Sequence, residues 1–378
     1  MRQTTGLTST YSSDEFGICS ALYELGGMVV MHDASGCNST YTTHDEPRWY
    51  DMDSMIFISA ISEAEAIMGD DDKFINDLIE TAEELHPKFI ALVGAPIPYM
   101  IGTDLDAIAR IVGGKTGLPC FAFAANGMHD YTKGVSMAME RIVREYAGER
   151  NFDSRKVAQS VDNVLSKSTT VEKVVAGTDL QTKKVGNVDA GTDSQSAQLS
   201  QIIVNILGST PLDFSLNGSV DSMKEWVTVH GMKMGLCLSM GCTLEDIQKV
   251  GDAQVNLVVS AGGLAAAKWL RGRFGTPYVV GVPVGEAFSE YLADVVRAAA
   301  ESGENEIPYH QKNDDLTRRT MIHMENEGVI SYLPDSVTCK LPDRKNEKYK
   351  PRCKAKSGAI IGEAVFSACQ NFFPPHIL

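Results

Sequence analysis

The sequence predicts an α/β protein made of two doubly wound parallel-sheet lobes. Short apolar runs rich in Val, Ile, Leu and Phe alternate with longer segments whose apolar residues recur every three or four positions. The alternation occurs twice, before residue 149 and again after residue 198. Between these regions lies a stretch rich in Ser, Thr, Asp, Lys and Gly, with weak periodicity, that reads as a partly helical connection. Strands alternating with helices of this length pair in parallel and are covered on both faces.

The chain has 378 residues and a formal net charge of −15. That length predicts two or three domains with full cores, divided as 1–148, a connection 149–198, a second lobe 199–303 and an irregular segment 304–378. So acidic a surface repels nucleic acid and anionic membranes, and neither is an expected partner. No apolar run approaches the roughly 20 residues that span a bilayer, and the opening residues carry no leader pattern, so a cytoplasmic location is expected. In that reducing compartment the eight cysteines read as ligands or small buried residues rather than as a disulfide framework.

The chain is organised around Gly17 to Cys37, GICSALYELGGMVVMHDASGC. Gly26 and Gly27 stop a helix, Met28–Met31 reads as a short buried strand, and Asp33, Ser35 and Gly36 end it. Cys19 is expected at the start of that helix, and Cys37 just beyond the strand. These are the positions in an open α/β sheet where a metal centre is most easily reached. Both sulfurs are read as iron ligands, against the plainer alternative that free cysteine is core.

A loop follows over 38–53, then a second buried run over 54–61. The contiguous aspartates Asp70, Asp71 and Asp72 read as an N-cap with favourable dipole interactions rather than as a metal site. The helix they open carries Phe74, Leu78, Ile79, Ala82 and Leu85 on one face. A strand over 88–93 ends in Gly94-Ala95-Pro96, and Thr103 or Asp104 caps a helix over 105–112. Its tail, Gly113-Gly114-Lys115-Thr116, lacks the upstream glycine of a phosphate loop. A strand over 119–124 and a helix over 133–146 complete the first lobe. The second lobe reads as strands 201–208, 233–238, 255–260 and 277–282, with helices 219–230, 243–250, 262–274 and 289–302. Apolar runs 321–324 and 329–333, a basic stretch 340–356 and a strand-turn-helix pattern over 359–373 follow.

Two histidines are candidate acid–base groups. His129, with Asp130, follows a strand end and is the better pocket candidate; His44 lies in Thr-His-Asp-Glu-Pro, which a surface turn explains equally well. His32 and Asp33 sit close enough to Cys37 for a histidine to tune a cluster or relay protons. Cys120 reads as core, and Cys237 and Cys242 lack the spacing of a zinc or ferredoxin site but lie near a strand end. Cys339, Cys353 and Cys369 are too widely spaced to assign.

The ordered series GICSALYELGG, VVMHDASGC, the stretch from Ser62 through Ile108 that contains GAPIPYMIGTDLDAI, GLPCFAFAANGMHDYTKG, IVNILG and AQVNLVVSAGGLAAAKWLRGRFGTPY resembles the nitrogenase component 1 family over most of the chain. That family includes relatives in dark chlorophyll synthesis and nickel-tetrapyrrole cofactor synthesis. The resemblance implies Rossmann-like lobes, pairing with a second copy or a paralogous component 1 subunit, and an iron–sulfur cluster at the subunit interface. It also implies electrons from a separate ATP-dependent iron–sulfur reductase, the only place where ATP is used, and a small-molecule substrate.

Carried over by position, Cys19 and Cys37 match two of the three cluster cysteines usual in a family subunit; Ala95 stands at the third. Ser260 stands where the active-site subunit of nitrogenase has its cofactor cysteine, and the third lobe reads as incomplete or rebuilt. Dinitrogen is therefore not the expected substrate. Two cysteines per chain, doubled by a two-fold axis, supply the four ligands of a [4Fe-4S] cluster. The alternatives are a metallocofactor scaffold or maturation protein, and a cluster-free structural subunit.

Overall fold

The computed structural model of the protein describes residues 12–34, 36, 41, 46–150, 201–214, 216, 218–283 and 286–306, without the side chains of 286–288. The fold is α/β, with two four-stranded parallel sheets. In the first, β1 (Met28–Met31) pairs with β2 (Ile56–Ile58) and β3 (Ile90–Val93), and β3 pairs with β4 (Cys120–Phe123), giving the order β2-β1-β3-β4. In the second, β5 (Ile203–Leu207), β6 (Lys233–Cys237), β7 (Val255–Val258) and β8 (Tyr278–Val280) run β6-β5-β7-β8. The sheets thus repeat one strand order.

The first sheet is covered on both faces, as its continuous apolar strands predict. Met28, Val30, Ile90 and Leu92 pack with residues of α3 (Asp72–Leu85) and α5 (Leu105–Thr116). Their neighbours Val29, Met31, Ala91 and Val93 turn to the opposite face and join a core that continues through the second sheet. On that face lie α1 (Asp14–Leu22) and α6 (Tyr131–Tyr146). One strand departs from expectation. The run 54–61 forms only three strand residues, and Phe57 is 36% exposed; among the described strands β2 is at the edge of the sheet.

The helix starts are legible in their caps. Asp104 accepts a hydrogen bond from the Ala107 amide at 2.9 Å, and Asp130 accepts from the Lys133 amide at 3.1 Å, starting α6 two residues earlier than its apolar pattern does. Thr243 and Asp246 form a reciprocal capping box on the short helix Leu244–Ile247. Asp71 precedes α3 without a side-chain cap; Asp70 instead accepts from the Asp72 amide at 3.1 Å. Residues 113–116 are the last turn of α5, ended by left-handed Gly117, so their backbone donors serve the helix rather than a phosphate.

α6 packs against α1 on one side, and on the other against a helix Leu264–Phe274 and its preceding 3₁₀ turn Ala261–Gly263. The α1–α6 crossing is set by two glycines. A Cβ on Gly134 would lie 1.8 Å from the Asp14 carbonyl oxygen, and one on Gly17 would lie 2.1 Å from that of Tyr131. Both obstacles are backbone, so the helices must separate to admit a methyl group. Gly134→Ala is expected to destabilise the protein by about 2–3 kcal/mol, although alanine is the better helix former. A urea midpoint equal to or above wild type would show that the crossing is not this close.

The expected connection 149–198 falls almost wholly outside the described residues. So do residues 307–378 of the irregular segment, where an incomplete or rebuilt third lobe is expected, and Cys339, Cys353 and Cys369.

Candidate functional site

Cys19 lies in the middle of α1, not at the start of the helix. The helix begins earlier because Ser13 is extended and two acidic residues, Asp14 and Glu15, occupy the first turn, where the helix dipole favours them. Cys19 is fully buried. Burial pushes its thiol well above the usual range, and the Glu15 and Glu46 carboxylates push it in the same direction. Cys37 and His44 lie outside the described residues. Tyr41, four positions beyond Cys37, is buried against α1: its ring centroid is 5.3 Å from that of Phe16, and it shares the electrostatic environment of Cys19.

Beside Cys19 a buried charge network joins the two lobes. Arg48 is 2% exposed, and every N–H of its guanidinium has a partner. Nε and Nη2 donate to the two oxygens of Glu46 at 2.7 and 2.9 Å, and Nη2 also donates to the Ser20 carbonyl at 2.7 Å. Nη1 donates to Glu24 at 2.7 Å and to the carbonyl of Ser239, in the second lobe, at 3.0 Å. The Ser20 hydroxyl donates to Glu46 as well. In return, Ser239 Oγ donates to the Ala21 carbonyl at 2.8 Å, and the Gly241 amide to Glu24 at 2.6 Å. Burial alone would lower the Arg48 pKa; Glu46 and Glu24 more than offset this and hold it above its ordinary value.

A second polar cluster sits at the N-terminus of α1. Asp14 is fully buried and accepts from the amides of Gly127 at 2.8 Å, Glu15 at 3.1 Å and Asn126 at 3.3 Å. His129 is half exposed and places Nδ1 3.2 Å from the same carboxylate. Glu15 is 5% exposed, and its Oε2 has no partner. Burial, then the neighbouring Asp14, raise its pKa to about 7. The structure therefore brings His129 to Asp14, and it gives Asp130 the separate task of capping α6.

His32 is 3% exposed and stacks on Phe74 at 4.1 Å, with Nδ1 2.9 Å from Ser59 Oγ. Burial lowers its pKa to about 4, so the ring is neutral at physiological pH. It lines a cleft of about 350 Å³, including the solvent at its mouth, with Glu65, Asp70, Asp71, Lys73 and Asp77. Cys237 and Cys242 are buried. Burial raises them to about 11 and about 12, which makes them inert, and Cys237 Sγ is 3.1 Å from Ser209 Oγ. Cys120, half buried, is likewise raised to about 12 by burial.

Ala95 is buried at the start of helix Pro96–Ile101 and offers no ligand. Ser260 is satisfied structurally: its hydroxyl donates to the Gly208 carbonyl at 2.7 Å and accepts from the Gly262 amide at 3.2 Å. Among the described residues no group of three or more His, Cys, Asp or Glu is arranged to hold a metal ion, and no helix is long and apolar enough to cross a membrane. Helices Glu63–Met68 and Pro96–Ile101 touch, and they expose Ile67, Met68, Tyr99, Met100 and Ile101.

Fold and site define a protein of two Rossmann-like parallel-sheet lobes with a buried thiol and a charge network at their junction. The model of the nitrogenase component 1 type oxidoreductase family matches residues 20–321, and the chain belongs to that family. It is 30% identical over 94 residues to a light-independent protochlorophyllide reductase polypeptide of Synechococcus sp. (strain CC9605), covering 24% of this chain and 18% of that protein. It is 21% identical over 224 residues to the nitrogenase iron-molybdenum cofactor biosynthesis protein NifE of Clostridium pasteurianum, covering 59% of this chain and 38% of the relative. The chain thus spans well under half the length of these two relatives. The structure titled "Nitrogenase Cp1 at pH 5" superposes with a TM-score of 0.52 at 16% identity, over 85% of this chain and 59% of that one, a likeness of fold.

Sequence reasoning missed Asp14, Glu15, Glu24 and Arg48. The available signals were the Asp-Glu pair opening an otherwise apolar helix, and Glu-Pro-Arg-Trp, which sets opposite charges two residues apart beside an aromatic ring.

Proposed function

We propose that this chain is a component 1-type reductase subunit that binds an iron–sulfur cluster through Cys19 and Cys37 at a subunit interface. It passes electrons from an ATP-dependent iron–sulfur reductase to a small-molecule substrate other than dinitrogen. The observation that carries the reading is the fully buried thiol of Cys19 in α1, at a position that matches a cluster cysteine of the family. The donor chemistry fits: a buried thiol that holds its proton when free is deprotonated outright by a coordinating metal. The cluster supplies a reversible one-electron site. The chain's own part is to enclose Cys19, fix α1 through Arg48, and exclude water from the buried sulfur. The exposed apolar pair of helices at the carboxyl ends of β2 and β3 is assigned to the reductase, because it lies at the same end of the sheet as the segment that follows β1.

The test is iron and sulfide analysis of anaerobically purified protein. Wild type is expected to hold about two irons per chain, one shared [4Fe-4S] cluster per pair, with a dithionite-reduced EPR signal. Cys19→Ala and Cys37→Ala should each lose most of that iron. Undiminished iron in either variant removes that residue from the ligand set.

The likeness to NifE over 59% of the chain favours a second reading, a metallocofactor scaffold that holds a cluster without turnover. Ala95 and Ser260, where ligands are expected, suit it equally. Substrate reduction that needs both reductase and ATP selects the enzyme; a loaded protein that only hands its metal to an acceptor selects the scaffold.

A further inference from the structure

We propose that the cleft at the carboxyl ends of β1 and β2 binds a small organic cation with a primary ammonium group, which donates a hydrogen bond to Nε2 of His32 among a ring of carboxylates. His32 directly follows β1, and Ser59 directly follows β2. This is the end of a parallel sheet at which α/β proteins receive ligands. The inference needs no cluster and stands apart from the iron reading above.

The tautomer of His32 follows from its polar neighbour. Ser59 Oγ accepts from the Asp33 amide at 3.1 Å, and lies 3.3 Å from the Asp33 carbonyl oxygen and 2.9 Å from His32 Nδ1. A hydroxyl has one proton to give. If Nδ1 carries the ring proton and donates to Ser59, the hydroxyl proton goes to the Asp33 carbonyl, and all three contacts are hydrogen bonds. The other tautomer spends the hydroxyl proton on Nδ1, leaves the carbonyl contact empty and strands a buried N–H at Nε2. Nε2 therefore presents a lone pair. It is buried without a partner, in a ring that is 3% exposed and lines the cleft. Burial keeps that ring neutral at physiological pH, so it accepts a hydrogen bond without repelling a cation.

The charge around the lone pair selects the ligand. The cleft is lined by Glu65, Asp70, Asp71 and Asp77 against the single cation of Lys73. Lys73 is paired with Glu65 at 2.7 Å, and the three aspartates form no ion pair among the described residues. Asp71 precedes α3 without capping it, and burial, then Asp70 and Asp72, raise its pKa: the carboxylate is crowded by like charge. The positive end of α3 attracts no anion here, because carboxylates already occupy it and Asp70 accepts from the Asp72 amide. Among the described residues no three acidic or imidazole groups converge as a bound metal ion requires. An ammonium group has three donors that point apart, so it meets Nε2 and the carboxylates without such convergence. Ile61, Phe74 and Ile101 supply apolar lining for its alkyl stem.

The experiment titrates the full chain, isotopically labelled at histidine, with n-butylammonium and follows the ring nitrogens by NMR. His32, identified by its absence in His32→Phe, is expected to be a neutral ring with its lone pair at Nε2, and that resonance should shift saturably. Calorimetry should find binding to His32→Phe weaker by about tenfold or more, the worth of one hydrogen bond to a charged group. His32 is packed in the interior, so a second variant keeps the test independent of its folding. Asp71→Asn combined with Asp77→Asn, neither of them buried, should weaken binding several-fold, and added salt should do the same to wild type. n-Butanol, which has a similar shape and no charge, should not bind. A proton on Nε2 in the free protein, no saturable shift, equal affinity for n-butanol, unchanged affinity in either variant, or a zinc ion held at His32 in preference to the ammonium overturns the inference. Iron content bears on none of these outcomes, so the cluster reading stands or falls separately.

Discussion

Arg48→Met is expected to lower unfolding stability by about 3–5 kcal/mol, read as a fall in the urea midpoint. The reason is the asymmetry of buried ion pairs: removing one partner strands the other in low dielectric. Glu46 has no exposed side-chain area and takes a charge-assisted bond on each oxygen from Arg48, and the Ser20 and Ser239 carbonyls each lose a charged donor. Methionine roughly replaces the side chain's volume, so the loss comes from charge and hydrogen bonds and not from a cavity. Because Arg48 holds α1 against the loop after β6, the lobes should loosen with respect to each other. Native-state hydrogen exchange should then quicken at Ala21 and in residues 238–241. A solvent-exposed pair between the same lobes gives the contrast: Lys88 and Glu245 are 3.1 Å apart with both side chains at least half exposed, and Lys88→Ala should change stability by less than about 1 kcal/mol. Equal effects at the two sites would refute the argument from burial.

The two sheets were legible because their cause is local. Runs such as Met28–Met31 and Ile90–Val93 are apolar at every position, and only a strand covered on both faces buries all of them. The caps at Asp104 and Thr243 were legible for the same reason, since donor and acceptor lie three residues apart. The edge position of β2 was not, because Ile56–Ile58 resembles a central strand until the strand order is known. The site divides along the same line. Cys19 and His129 drew notice by residue type, whereas Arg48 meets Ser239 across 191 positions and Asp14 meets Gly127 across 113. Nothing in the spacing of a charge reveals a partner that only the packing of α1 against both lobes brings near. The Asp14–Glu15 pair drew no notice for the same reason, since the Asp14 partners Gly127 and His129 lie 113 and 115 positions away.

That same pair makes the metal-free protein pH-sensitive in a direction that can be worked out. Burial, then Asp14, raise Glu15 from 4.5 to about 7. The folded state therefore binds the Glu15 proton more tightly than the unfolded chain does. The stability from this group is fully present below about pH 4.5, drains away as pH rises toward 7, and is absent above it. The shift of about 2.5 pH units corresponds to about 3 kcal/mol, taking about 1.4 kcal/mol per unit. Glutamine has the shape of the protonated acid and does not titrate. Carboxylates remote from Glu15 are unchanged in Glu15→Gln, so the difference between the urea midpoints reports the Asp14–Glu15 pair. The two proteins should be nearly equal at pH 4.5, and the variant should be more stable by about 3 kcal/mol at pH 8, with most of the gap opening between pH 5 and 7. Parallel curves across that range would mean that Glu15 is ionised at no cost in the folded protein, and a gap that opens at acid pH instead would mean that the sign is wrong.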